Sequence, residues 1–249
     1  MSSPQAFSEF SDVYDRFMHY IDYPGWVRYA CELIALHGIK GKRLLDLACG
    51  TGTCAVILAG KGFEVTGIDI SAQMLSRAKE NARHDGVELK LFSRDMRDFL
   101  LDSKSDVITS FYDSINYLLS IEDVEKTFAC ACRQLENGGA FIFDMNTEFA
   151  LKEIWGSRTI RRNEGGVASV WKNEFDPATG ICTLFLSWST REGGAKKEHN
   201  EIHRERAYTE QEIRDALEKA GFSDVSIYAH PTFQPPFELT PRIMVVAIK

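Results

Sequence analysis

Residues 43–55 read RLLDLACGTGTCA. A short apolar run from Arg43 to Cys49 meets Gly50 and Gly52, and Thr53 to Gly60 continues Ala-rich and helical in pattern. This is strand, glycine turn, helix. Glycines at that junction let a ligand approach the backbone and meet the unpaired N–H groups at the helix start. Glu64 to Ile70 reads as a second strand, and Ser71 caps a helix carrying Met74, Leu75, Ala78 and Ala82 that stops at Gly86. The alternation repeats: strands at Val87–Phe92, Ser105–Phe111 and Ala140–Met145, with a helix over Ile121–Leu135 that Gly138 stops. Strands separated by helical segments of about 10 to 15 residues predict βαβ units and a mainly parallel, doubly wound α/β sheet.

The ends of the chain differ from this centre. Apolar residues recur at helical spacing from Phe7 to Met18 and from Trp26 to Leu36, with Pro24 and Gly25 dividing two helices. From Thr159 to Tyr208 strands alternate with turn signals, including PATG at 177–180, which predicts an antiparallel insertion. Thr209 with Glu212 forms a capping box for a helix ended by Gly221, and strands follow at Val225–Tyr228 and Arg242–Ile248. The expected organisation is therefore N-terminal helices over 1–40, an α/β domain over 41–146 and 209–249, and an antiparallel cap over 147–208.

With 29 basic and 36 acidic residues the net charge is −7, which disfavours a nucleic-acid partner. No run approaches the roughly 18 apolar residues of a membrane span, and no apolar stretch of signal-peptide length opens the sequence. Cys31, Cys49, Cys54, Cys130, Cys132 and Cys182 lie in apolar, patterned segments, so reduced thiols and a cytoplasmic location are expected.

Asp69 ends an apolar strand, where a carboxylate is costly to bury unless something bonds it, and a ribose diol would do so. Asp95, followed by Met96, lies after the third strand at the same sheet edge, where an acidic side chain accepts from an adenine amino group. Gly50, Gly52, Ala55 and Asp69 also satisfy the loose dinucleotide fingerprint, so an NAD-dependent oxidoreductase or a non-catalytic nucleotide-binding module stays open. His199, Glu201 and His203 alternate along one strand face; without an HExxH order or a third ligand nearby they predict a solvated face and no metal.

The run DLACGTG from Asp46 to Gly52, Asp69 in VTGIDIS, Asp95-Met96, Phe111 to Ser114 and NGGAFIFDMN from Asn137 to Asn146 together resemble the motifs of class I S-adenosylmethionine-dependent methyltransferases. The resemblance implies a seven-stranded Rossmann-like sheet closed by an antiparallel last strand, with the insertion after strand five as a substrate cap. It implies S-adenosylmethionine as cofactor, held by Tyr14, Asp46, Ala48, Cys49, Gly50, Gly52, Asp69, Ile70, Met74, Asp95, Met96 and Phe111. In it Ile70 and Met96 sandwich the adenine, and the helix bearing Tyr14 and Asp15 closes over the cofactor. Tyr112, Ser114, Asn116 and Tyr117 after the fourth strand, with Trp171 and Trp188 of the cap, are the acceptor-facing candidates. The acceptor expected is a small molecule methylated on N or O, with an RNA or protein acceptor as the alternative; no general base is identifiable from the sequence. Positioning dominates such a transfer, because the methyl donor is already activated.

Overall fold

The computed structural model describes residues 6–7, 9–192 and 195–249. After a 3₁₀ turn at Glu9–Asp12 come α1 (Tyr14–Phe17) and α2 (Tyr23–Leu36). The α/β core follows as β1 (Arg43–Leu47), α3 (Thr53–Gly60), β2 (Glu64–Asp69), α4 (Ala72–His84), β3 (Lys90–Ser93) and β4 (Ser105–Ser110). It continues with α5 (Ile121–Gln134) and β5 (Leu135–Asn146). A one-and-a-half-turn π-helix, Ala150–Trp155, leads into β6 (Thr159–Glu164), β7 (Val167–Asp176), β8 (Ile181–Glu192) and β9 (Ala195–Arg206). The chain then returns through α6 (Glu210–Ala220), β10 (Asp224–Ala229) and β11 (Arg242–Ile248).

Seven strands form one sheet in the order β10-β11-β5-β4-β1-β2-β3, and β11 alone runs antiparallel to its neighbours. β1 and β4 are buried along nearly their whole length, as strands covered on both faces must be. The chain reverses its direction of travel across the sheet between β1 and β4, so a crevice opens outside their carboxyl ends. β6 to β9 form a separate antiparallel four-stranded sheet. The helices start where their caps dictate: Ser71 accepts from Met74 N, Ser120 from Asp123 N, and Thr209 and Glu212 complete the reciprocal box. Among the described residues no helix is long and apolar enough to cross a membrane.

Local expectations fail in four places. Pro24 and Gly25 do not separate two helices but lie in the first turn of α2, where Asp22 Oδ1 accepts from Gly25 N at 2.9 Å and proline lacks only an N–H that would be unpaired anyway. The third strand starts at Lys90, because Val87 N still donates to Ala82 O and wraps the end of α4. Gly138 does not stop a helix. α5 passes directly into extended backbone at the buried Leu135, and Gly138 (φ +78°) serves β5, where the register to β4 shifts between Ser105 and Val107. Finally, His199, Glu201 and His203 are not solvated but 8%, 1% and 3% exposed. The N-terminal segment covers that face, with Phe7 N and Phe10 N donating to the two oxygens of Glu201 at 2.9 Å each.

Candidate cofactor and acceptor site

Between Leu47 and Thr53 the backbone is left-handed at Ala48 (φ +54°), Gly50 (+55°) and Gly52 (+75°). The two glycines need this freedom for different reasons. A Cβ on Gly50 would point into open space, whereas one on Gly52 would stand 2.9 Å from Ala78 Cβ. Gly52 is thus a packing glycine between α3 and α4, and Gly50 faces a cavity. Asp69 at the end of β2 holds the turn: its Oδ2 accepts from Gly50 N (2.9 Å) and its Oδ1 from Ser71 N (2.8 Å). Burial raises its pKa, and the N–H groups of Ser71, Gly50 and Ile70 oppose that shift. A carboxylate accepts about four hydrogen bonds, so capacity remains for a hydroxyl-bearing ligand.

The cavity, about 600 Å³, lies over the carboxyl ends of the parallel strands and is roofed by the N-terminal segment and the antiparallel sheet. Of the residues expected around a cofactor, Tyr14, Asp46, Ala48, Cys49, Gly50, Asp69, Ile70, Met74, Asp95, Met96 and Phe111 border it, and Gly52 does not. Ile70, just past β2, is 55% exposed and borders the cavity. Asp95 is bound by Arg97 through both carboxylate oxygens, with Nε 3.0 Å from Oδ1 and Nη2 2.6 Å from Oδ2, and this pair lowers the Asp95 pKa. Asp15 accepts from Thr51 Oγ1 at 2.6 Å, tying the N-terminal segment to the glycine turn.

Tyr112, Ser114, Tyr117 and Trp171 border the same cavity, but Asn116 and Trp188 do not. Asn116 is fully buried as a bracket: its amide donates to the carbonyls of Asn146 and Arg206 and its oxygen accepts from Asn146 N. Trp188 is 2% exposed in a cluster with Phe10, Val13 and Phe17 and stacks on His199. The cause is again the N-terminal segment, which packs over Trp188 on the same face of β8 whose Leu184 and Leu186 border the cavity. Trp188→Ala is therefore expected to cost about 3 to 5 kcal/mol of stability in urea denaturation. Trp171→Ala, which removes a cavity wall, should cost less and change acceptor KM instead.

Burial also governs Asp46, whose Oδ1 accepts from Thr109 Oγ1 at 2.7 Å. Burial pushes its pKa up to about 7, with Asp69 adding to the shift and the Thr109 bond opposing it. Because the folded value lies above the unfolded one, the native chain holds the extra proton between about pH 4 and 7, and stability falls as pH rises through that window. Asp46→Asn keeps an oxygen for Thr109. Its stability relative to the parent is expected to improve by about 2 to 4 kcal/mol between pH 4 and pH 8, which paired denaturation curves would check. Burial, then Asp46, also push the thiols of Cys49 and Cys54 up, so neither is a thiolate nucleophile at neutral pH.

The sequence reading overlooked one charged cluster. Arg242, at the start of β11, pairs with Asp113 at 2.7 Å and with Asp144 of β5, and its guanidinium lies over the rings of Trp26 and Tyr112. Asp144 in turn accepts from Tyr112 N (2.6 Å) and Asp113 N (3.0 Å), two consecutive residues with positive φ. The cluster holds a strained loop at the cavity wall. Asp144 stood inside the quoted NGGAFIFDMN, but nothing local marks Arg242, 98 positions away, as its partner.

A crevice at the switch point, a left-handed glycine turn tethered by an acidic strand end, and an added antiparallel roof define the class of S-adenosylmethionine-dependent methyltransferases. A family model described as "Methyltransferase domain" matches residues 44–139. The chain is 31% identical over 246 residues to a protein of Geobacillus sp. (strain WCH70) named "Putative methyltransferase", covering 98% of this chain and 100% of that one. The structure of an S-adenosylmethionine-dependent methyltransferase from Clostridium acetobutylicum ATCC 824 superimposes with a TM-score of 0.86 at 28% identity, over 96% of this chain and 97% of that one. A Streptomyces venezuelae dTDP-3-amino-3,4,6-trideoxy-α-D-glucopyranose N,N-dimethyltransferase is 29% identical over 162 residues, 62% of this chain and 65% of its own. The chain belongs to this methyltransferase family and is an enzyme of it.

Proposed function

We propose that the enzyme methylates a nitrogen atom of a small-molecule acceptor, using S-adenosylmethionine. The observation that carries this reading is a single cavity joining the glycine turn and Asp69 to a roofed chamber lined by Tyr112, Tyr117 and Trp171. The open space beside Gly50 and the exposed Ile70 fit a nucleoside whose ribose meets Asp69 and whose base lies between Ile70 and Met96. That cofactor supplies an electrophilic methyl carbon on a sulfonium, so an acceptor lone pair is methylated directly and the electron pair of the C–S bond stays on sulfur. The chain's own part is to exclude water with its N-terminal segment and antiparallel sheet and to fix the acceptor's line of approach. The S. venezuelae relative, named for an amino-sugar substrate, supports nitrogen as the atom and a small molecule as the acceptor.

Thermal shift with S-adenosylhomocysteine and NAD tests the cofactor, and mass spectrometry of a panel of amines and alcohols incubated with S-adenosylmethionine tests the acceptor. Stabilisation by NAD alone, or methyl transfer confined to hydroxyl compounds, would overturn the reading. A cytoplasmic setting is part of the proposal, supported by six unpaired cysteines. Thiol titration of freshly purified, denatured protein without reductant should find all six.

A further inference from the structure

One wall of the cavity carries more negative than positive charge. Asp113, Asp144 and Glu205 converge there on a single guanidinium, Arg242, which is committed to Asp113 and Asp144. Glu205 is different. Its carboxylate borders the cavity and accepts one hydrogen bond, from Asn146 Nδ2 at 2.7 Å. Among the described residues it has no cation within ion-pair distance.

Tyr14, Tyr23, Tyr112 and Tyr117 line the same chamber. A partly buried carboxylate with no cation at ion-pair distance among the described residues, set among aromatic rings, is the chemistry that receives an ammonium group. A neutral hydroxyl brings no positive charge to hold such a carboxyl in its ionised form.

We propose that Glu205 recognises the acceptor as an amine, pairing with its ammonium group and taking one proton from it. The proposal rests on the methyltransferase reading above and names the residue that makes its acceptor basic. In the step, one N–H bond of the ammonium breaks and its electron pair stays on nitrogen as the lone pair needed for methylation. The proton passes to a Glu205 carboxylate oxygen and leaves to solvent with product release.

The groups facing Glu205 favour this direction of transfer. They are Asp113 after β4, Tyr117 in the following turn, Asp144 on β5, Cys182 opposite on β8 and Arg242 on β11. Burial, then Asp113, push Glu205 up to about 8, against Asn146 and Arg242. It is then a far stronger base than an exposed glutamate, whose pKa is about 4.3. At pH 7 the carboxyl therefore carries a proton until an ammonium displaces it.

The test titrates the full chain, with and without saturating S-adenosylhomocysteine, with cyclohexylamine and with cyclohexanol, probes that differ only in the amine. Calorimetry at pH 7 in buffers of different ionisation enthalpy is expected to show the amine binding about tenfold tighter or more, with release of roughly one proton. Glu205→Gln, which keeps an oxygen for Asn146, should lose both the preference and the proton release while binding S-adenosylhomocysteine about as tightly as the parent. Equal binding of the two probes, no binding of the amine, or an amine preference that survives Glu205→Gln would overturn the proposal. Failure of the parent to bind S-adenosylhomocysteine would instead sink the cofactor reading, and the titrations without it would still decide the role of Glu205. Should the glutamine variant not fold, absence of proton release from the parent would still overturn the proposal.

Discussion

Arg242→Leu is expected to lower stability by about 3 to 5 kcal/mol, because removing one partner of a buried ion pair leaves the others charged and uncompensated. Here two carboxylates, Asp113 and Asp144, lose the same cation. For a chain of this size each kcal/mol moves the melting temperature by about 2 to 4 °C, so a fall of roughly 6 to 20 °C should appear by calorimetry. The deficit has a sign in pH. Asp113 already sits above the usual carboxylate range through burial, with Arg242 opposing. Without Arg242 its folded pKa rises further, so the variant should recover stability as pH falls and the carboxyls protonate. Asp113→Asn in the same background removes one of the orphaned charges and is expected to restore part of the loss. A drop of less than about 1 kcal/mol would mean that the pair is screened like a surface bridge and does not hold the Tyr112–Asp113 loop.

Asp69→Ala is expected to weaken S-adenosylhomocysteine binding by tenfold at the least. A hydrogen bond to a charged group is worth about 1.5 to 3 kcal/mol, and in the proposed placement two ribose hydroxyls would face one carboxylate, so a loss nearer a hundredfold is within range. The substitution also frees Gly50 N and Ser71 N, which Asp69 now accepts from. Each donor left unpaired costs about 1 to 3 kcal/mol when buried, and the glycine turn loses its tether. Affinity and stability should therefore fall together, yet circular dichroism should still report the parent α/β signature, because β2 is held by β1 and β3 along its length. Calorimetric titration showing unchanged affinity in a folded variant would remove Asp69 from the cofactor site.

Much of the α/β frame could be read before any coordinates, and the reason is local. Ser71, Thr209 and Glu212 cap helices through bonds that span three positions of chain, so their meaning is carried within one turn. The Gly50 turn and Asp69 are legible for a related reason: a buried strand ending in a carboxylate beside a glycine turn has few other uses. The count of seven strands and the antiparallel β11 came from resemblance to a family, and the order of the strands only from the structure.

What escaped the sequence depends on which element covers which face. Period-two alternation placed His199, Glu201 and His203 on one side of β9 correctly, but only the N-terminal segment, folding back over about 190 positions of chain, turns that side into core. The same cover makes Trp188 a core residue and leaves its neighbour on β7, Trp171, at the cavity. Asn116 looked like a ligand contact and is a bracket between β5 and β9. Periodicity and capping are settled by neighbours along the chain, and they determined most of the strands and helices and the sheet edge that bears the cavity. Burial of a polar side chain is settled by partners brought from elsewhere, and only the tertiary structure decided that Arg242 serves Asp113 and Asp144 and that Glu205 faces the cavity with no cation at ion-pair distance among the described residues.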